Sequence, residues 1–241
     1  MLALVVSATG AGLFFIYKSL SRADFFQITS IRIEGCRRTT KRLVLEWSGV
    51  DIHTNLLAMD VDAVEKKIGS HQWVEAVEIE REWPNHLTIT VKERVPTAMI
   101  NLHDGLYYID TKGVVFARVL PPEDIDYPVI TGLFDGKLPD VVKGSALDEA
   151  LEFIRYAGRG NSVLPKQNVS EINLGADNDM VLFLTNRPFP IHLGRGEVWT
   201  KYHRLTKVLY WLYKKNEFSE TTYIQMDYLP NKVLVGKTGI G

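Results

Sequence analysis

The chain has 241 residues, 46% of them hydrophobic and 24% charged, an ordinary globular composition with length enough for one large domain or two modest ones. Lysine and arginine total 28 against 29 aspartate and glutamate, so there is no basic excess to neutralise a phosphate backbone, and nucleic-acid binding is disfavoured. Cys36 is the single cysteine, which excludes an internal disulfide, a thiolate zinc cluster and a CxxC redox pair; at a strand end it is expected as a half-buried thiol rather than a nucleophile.

From Leu2 to Tyr17 the stretch LALVVSATGAGLFFIY carries no charge, and Lys18 and Arg22 follow at once. A spanning helix wants about 20 apolar residues, a length that Ser19, Leu20 and a snorkelling Lys18 supply. A cleaved signal peptide would need a basic stretch before the apolar run and a small-x-small site after it, and SLS is a poor one. An uncleaved anchor is therefore expected over 1–23. Its flanking charges alone would hold the bulk of the chain in the cytoplasm, so either a basic tail precedes Met1 or translocation of a long domain overrides that bias. Ala3, Ser7 and Ala11, like Ala8 and Gly12, recur every four residues and would let another membrane helix approach.

After the anchor, Ile31 and Ile33 alternate with Arg32 and Glu34, the period of a half-buried strand. Thr39 or Thr40 is placed to cap a helix striped by Leu43, Val44 and Trp47 and stopped at Gly49. Asp60 caps a second, with Val61, Val64 and Ile68 at helical spacing and Gly69 at its exit. Val77 and Ile79 then alternate with Glu78 and Glu80, Pro84 and Asn85 make a turn, and Leu87, Ile89 and Val91 return along a hairpin partner. Strand, helix, helix, strand, strand within about 70 residues predicts a compact α+β unit.

Beyond it, LYYID and GVVFARV read as strands joined at Thr111 to Gly113, and PPEDIDYP as a proline-rich connection. Ser145 caps a helix with Ala146, Ala150, Phe153, Ile154 and Ala157 on one face, and strands are expected at VSEINL, MVLFLT and FPIHLG. A long helix follows, with Val198, Tyr202, Leu205, Leu209 and Leu212 on one stripe and Lys214 and Lys215 at its negative end. TYIQMDY and KVLVG close the chain as strands.

Catalytic patterns are weak. His53, His71, His86, His103, His192 and His203 show no HExxH and no ligand spacing beside a carboxylate, and His86 and His203 sit at surface positions. GRGEVW (Gly194 to Trp199) opens a helix as phosphate loops do, but lacks the third glycine and the Lys-Ser/Thr pair, and reads as a strand-to-helix turn. Glu171, Asp177 and Asp179 could pair for glycosidic cleavage, although Asp177, Asn178 and Asp179 look like a hairpin turn. No GxSxG elbow occurs. Arg81, Glu93 and Arg94 are expected as a solvated salt-bridge corner where one domain hands over to the next. No catalytic, cofactor or metal residue is assigned, and no small-molecule substrate is implied.

The words around Phe26, Ile28, Ile31, Ile33 and Gly35, then NLLAMD (Asn55 to Asp60), Trp73 to Met99, YYIDTKGVVF (Tyr107 to Phe116) and YPVITG (Tyr127 to Gly132) carry a resemblance. In that order and spacing they resemble the bacterial cell-division family FtsQ/DivIB, from the anchor to near the end of the chain and most specifically over Trp73 to Pro96. The resemblance implies a single transmembrane helix (1–23), a POTRA domain of β-α-α-β-β order (24–95) and an FtsQ-type β-rich domain with two helices (96–241), α+β throughout.

It further implies a non-enzymatic scaffold, a single-pass type II protein of the inner membrane with its bulk in the periplasm at the division septum. Such a protein recruits FtsB and FtsL and links early division proteins to septal peptidoglycan synthesis. Partner capture would use the last strand as an open edge, in NKVLVG (Asn231 to Gly236), with Pro230 and Lys232 guarding it. The partner-binding residues expected are Tyr228, Lys232, Val233, Leu234, Val235 and Gly236. Family members often carry D.RY in the penultimate strand, its arginine helping hold an acidic partner residue. Here MDYLPN has Asp227 with no arginine after it, and Lys232 is the expected substitute. The alternatives are a POTRA-type chaperone of outer-membrane assembly and a membrane-anchored cell-wall hydrolase.

Overall fold

The computed structural model describes residues 24–121, 126–133, 142–159, 163–175, 179–228 and 232–239. They form two compact units, the first closing at Arg94 and the second opening at Val95. The expected anchor, 1–23, lies outside the described residues. No described helix is long and apolar enough to cross a membrane.

The first unit runs β1 (Ser30–Glu34), α1 (Lys41–Ser48), α2 (Val61–Gly69), β2 (Val74–Glu82) and β3 (His86–Glu93). Local chemistry sets each boundary. The Thr40 hydroxyl accepts from the Leu43 amide and caps α1, and Gly49 terminates it in the left-handed region. The Asp60 carboxylate accepts from Ala63 at the start of α2. The sheet order is β1-β3-β2, with β3 antiparallel to β2 and parallel to β1. A parallel pair needs a crossover, which α1, α2 and β2 supply. Ile33, Leu87, Ile89 and Val91 meet Val44, Val64 and Ile68 beneath the helices. Burial of that order stabilises by about 1.5–3 kcal/mol for each large side chain. Cys36 is half-buried against this core.

The second unit is one nine-stranded sheet in the order β12-β11-β10-β9-β8-β7-β4-β5-β6. Its strands are β4 (Ala98–Leu102), β5 (Gly105–Ile109), β6 (Val115–Arg118), β7 (Val129–Thr131), β8 (Val169–Leu174), β9 (Met180–Leu184), β10 (Ile191–Gly194), β11 (Thr221–Gln225) and β12 (Leu234–Lys237). Among the described residues there are four α-helices, two of them here: α3 (Ala146–Ala157), capped by Ser145, and α4 (Val198–Lys214). The β7–β8 and β10–β11 pairs are parallel, and the chain crosses between them through α3 and α4 respectively. The two helices pack together through Phe153, Tyr156 and Tyr202, whose ring centroids lie 5.5 and 5.9 Å apart. The stripe Val198, Tyr202, Leu205, Leu209 and Leu212 is buried along its whole length.

Two strands depart from the periodicity. β4 and β7 lie side by side in the interior of the sheet, and Ala98, Met99 and Ile100 are all buried, which erases alternation. β7 has three residues directly after Pro128, too few to show a period. The turn at Thr111 to Gly113 does form, organised by Asp110, whose carboxylate accepts from the amides of Lys112 (2.8 Å) and Val114 (2.9 Å).

Candidate functional site

β12 occupies one end of the nine-stranded sheet and pairs with β11 alone among the described strands. Its register joins Gln225 to Leu234, Ile224 to Val235 and Tyr223 to Gly236. The strand begins three residues later than Asn231 because β11 ends at Gln225, which leaves Lys232 and Val233 past the end of the partner. Residues 229–231 lie outside the described set.

The direction of the backbone groups follows from the neighbouring ladder. Ile224 and Met226 donate to the Pro190 and His192 carbonyls of the β10 side, at 3.0 and 2.9 Å. Tyr223 and Gln225 therefore face β12, where they meet Gly236 and Leu234. By the same alternation, the amides and carbonyls of Val235 and Lys237 point to the open side of the sheet.

Side chains alternate as well. Val233 and Val235 pack against the core on the helix side, while Leu234 is 44% exposed. The Tyr223 ring lies across Gly236 so closely that a Cβ there would overlap it. Tyr228 is 66% exposed and Lys232 is exposed. The far end of the strand is fastened by residues that sequence reasoning missed. Lys237 Nζ meets Glu217 Oε2 at 2.6 Å and lies 5.7 Å from the Trp211 ring of α4. Thr238 donates to the Glu220 carbonyl through both its amide (2.8 Å) and its hydroxyl (2.9 Å). The signal for Lys237 and Thr238 was their position just after the last apolar pair, but their partners lie about 20 residues upstream.

Asp227, the acidic residue with no arginine after it, lies in the field of Lys201 on α4. Burial pulls the Lys201 ammonium below its ordinary value, against the raising influence of Glu149, Asp227, Glu197 and Asp179. Lys201 also donates to the Arg195 carbonyl at 2.5 Å. A cation thus stands near Asp227, supplied by a helix rather than by the penultimate strand.

The other sequence candidates take structural places. The Gly196 amide in GRGEVW donates to the Glu149 carboxylate at 2.8 Å, so α3 already fills the place an anion would take. Glu171 accepts from the Thr131 hydroxyl. Asp179 pairs with Gly175, four residues further along β8 or about 13 Å, beyond the 5–9.5 Å or so of glycosidase carboxylate pairs. Asp177 and Asn178 lie outside the described residues. His203 stacks on Trp199 (4.3 Å between centroids), and His71 stacks on Trp47 (3.7 Å). Burial pushes the His71 imidazole below its ordinary value. Among the described residues no cluster of His, Cys, Asp or Glu is placed to hold a metal.

The Arg81–Glu93 corner is built differently from a solvated salt-bridge cluster. Arg81 donates through Nη2 to the Met59 carbonyl. Glu93 accepts from the amides of Arg37 (3.1 Å), Arg38 (2.8 Å) and Thr39 (2.8 Å) and from the Thr39 hydroxyl, tying the end of β3 to the turn that leads into α1. Burial raises the Glu93 carboxyl, but the bonds from Thr39, Arg38 and Arg37 outweigh it and leave the group below the usual glutamate value. Its contribution is present above the unfolded value of about 4.3 and is lost as pH falls through the lower folded one. Glu93→Gln is expected to cost the first unit about 1 kcal/mol at neutral pH. It should also flatten the loss of stability between about pH 5 and 3, as read by chemical denaturation across that range.

The fold and this edge define a two-unit α+β protein in which, among the described strands, β12 is a sheet border paired on one side and pinned at one end. Family comparison matches residues 26–94 to the FtsQ-type POTRA domain and residues 98–226 to the C-terminal domain of the cell-division protein FtsQ/DivIB. The chain belongs to the FtsQ/DivIB family, and its role is in cell division. The cell-division protein FtsQ of Geotalea daltonii is 30% identical over 239 residues, which cover 98% of this chain and 84% of that protein. That of Geobacter sp. strain M21 is 30% identical with 98% and 85% covered, and that of Anaeromyxobacter sp. strain K 30% identical with 90% and 74% covered. The second family match ends at Met226, so Tyr228 and β12 lie beyond it.

Proposed function

We propose that the chain is a non-enzymatic scaffold of the division machinery that captures FtsB, together with FtsL, by adding a strand of the partner to β12. On this reading residues 1–23 anchor it in the inner membrane as a single pass, 24–95 form the POTRA domain and 96–241 the partner-binding domain, both in the periplasm at the septum. Recruitment of FtsB and FtsL connects early division proteins to septal peptidoglycan synthesis. The observation that carries the reading is the outward-facing backbone groups of Val235 and Lys237 on a terminal strand. An added strand would satisfy those groups with main-chain hydrogen bonds and take its specificity from the flanking side chains. Tyr228, Lys232 and Leu234, all exposed, flank them.

The test is photo-cross-linking in dividing cells, with a benzophenone amino acid at Leu234 or Tyr228 of the full chain. Adducts with FtsB from both positions are the expected result, with none from Ser70 at the far end of α2. FtsB adducts confined to the first unit would overturn the assignment.

A further inference from the structure

Three of the most exposed large apolar side chains of the first unit converge on one end of it: Phe25 (66% exposed), Ile52 (58%) and Trp83 (54%). The convergence is built by the fold. β1 starts at Ser30 opposite His86 at the start of β3, and β2 ends at Glu82 opposite the same residue. All three strand ends, and the turn carrying Trp83, therefore share one end of the sheet. The loop after α1 returns to that end, where Ile28 donates to the Thr54 carbonyl (3.0 Å) and Leu56 to that of Phe26 (2.8 Å), which brings the loop that carries Ile52 to the same end. Phe26 bridges Phe25 and Trp83, 5.1 and 5.9 Å from them between ring centroids.

The carboxylates at the same end are each engaged by a neighbouring group. Asp24 accepts from the Gln27 side chain at 2.8 Å, Asp51 from the His53 amide at 2.8 Å, and Glu82 from the Thr88 hydroxyl at 2.7 Å. The chain enters here as well. The uncharged run of the sequence ends at Tyr17, seven residues before Asp24, with Lys18 and Arg22 between. Seven residues reach at most about 24 Å.

We infer that this end of the first unit rests on the bilayer surface, with Phe25, Ile52 and Trp83 seated in the headgroup region. The inference goes beyond capture of a partner by β12 and rests on the anchor reading of 1–23. The occupant is lipid, because the tether keeps these side chains within a short reach of the membrane. Aromatic side chains are the ones that settle at that interface, and the intervening cations suit anionic headgroups. The first unit is then held upright on the membrane instead of swinging on its tether.

The test uses the full chain in nanodiscs of phosphatidylethanolamine and phosphatidylglycerol, with Cys36→Ser and a nitroxide at Phe25→Cys, Ile52→Cys or Trp83→Cys. Ser70→Cys, at the opposite end of α2, is the water-exposed control. The ratio of oxygen to nickel-chelate accessibility is expected to be several-fold higher at the three sites than at Ser70. Water-like ratios in a chain that stays in the discs would overturn the inference and leave the anchor reading standing. A chain that does not co-elute with the discs would overturn both. Ile52 lies in a surface loop, so its variant reports even if Trp83→Cys disturbs the packing with Phe26.

Discussion

Val235→Pro is expected to weaken the proposed capture of the FtsB–FtsL pair by about 30-fold or more while leaving the second unit folded. The Val235 amide faces away from β11, because Ile224 opposite it donates to β10. Proline at 235 therefore removes a donor meant for the visitor and no bond of the native ladder. In the complex the visiting carbonyl is left unpaired, at a cost of about 2 kcal/mol, which is about 30-fold in affinity. Val235 is only half-buried, so the loss of its packing is modest. Leu234→Pro is the informative contrast. The Leu234 amide faces Gln225, and its removal breaks the β11–β12 ladder, so this variant should melt earlier as well as bind less. Affinity would be measured by interferometry on the full chain in nanodiscs and stability by calorimetry. An unchanged affinity for Val235→Pro, with the strand still paired to β11, would remove strand addition as the mode of binding.

Helices announce themselves locally. The caps at Thr40, Asp60 and Ser145 each use a side chain that reaches an amide three residues on, and the α4 stripe is a period that one helix expresses alone. The hairpin of β2 and β3 is equally local. Strand order is not. β4 and β7 are neighbours although β5 and β6 lie between them in the chain, and the burial of Ala98, Met99 and Ile100 in a row removes the alternation that would mark β4 as a strand. The same non-locality hides electrostatic partners. Glu93 holds amides more than 50 residues upstream, so its sequence neighbours Arg94 and Lys92 suggest a charged corner while the fold uses it to cap a turn. Lys201 reaches the field of Asp227 only because β10, α4 and β11 bring them to one side.

The candidate edge shows both sides of this. That KVLVG is a strand can be read from composition. That it ends the sheet, and which of its amides face outward, depends on the ladder between β10 and β11. The position of the open amides is the part that turns a family expectation into a residue-level experiment.

Gly35→Ala is expected to be the most damaging single-methyl change in the first unit. Gly35 follows β1 with φ of +84°, a region where a Cβ costs roughly 1–3 kcal/mol in any setting. Here the added atom would also overlap the Val91 carbonyl oxygen. Val91 lies on β3, which is held between β1 and β2 and packs its side chain in the core, so it cannot yield without loosening both pairings. Strain and overlap together should cost about 3 kcal/mol or more. For a unit of this size that corresponds to a fall in Tm of roughly 12 °C or more. Gly69→Ala is the matched control: it sits in the last turn of α2, nothing lies within 4 Å of an added Cβ, and the change should be neutral or stabilising by up to about 1 kcal/mol. Hydrogen exchange resolved by peptide separates the two units of the full chain. Gly35→Ala should speed exchange throughout β1, β2 and β3 and leave β8 to β11 unchanged. If β3 keeps its wild-type protection in that variant, the close approach of Gly35 to Val91 is not what locks β1 against β3.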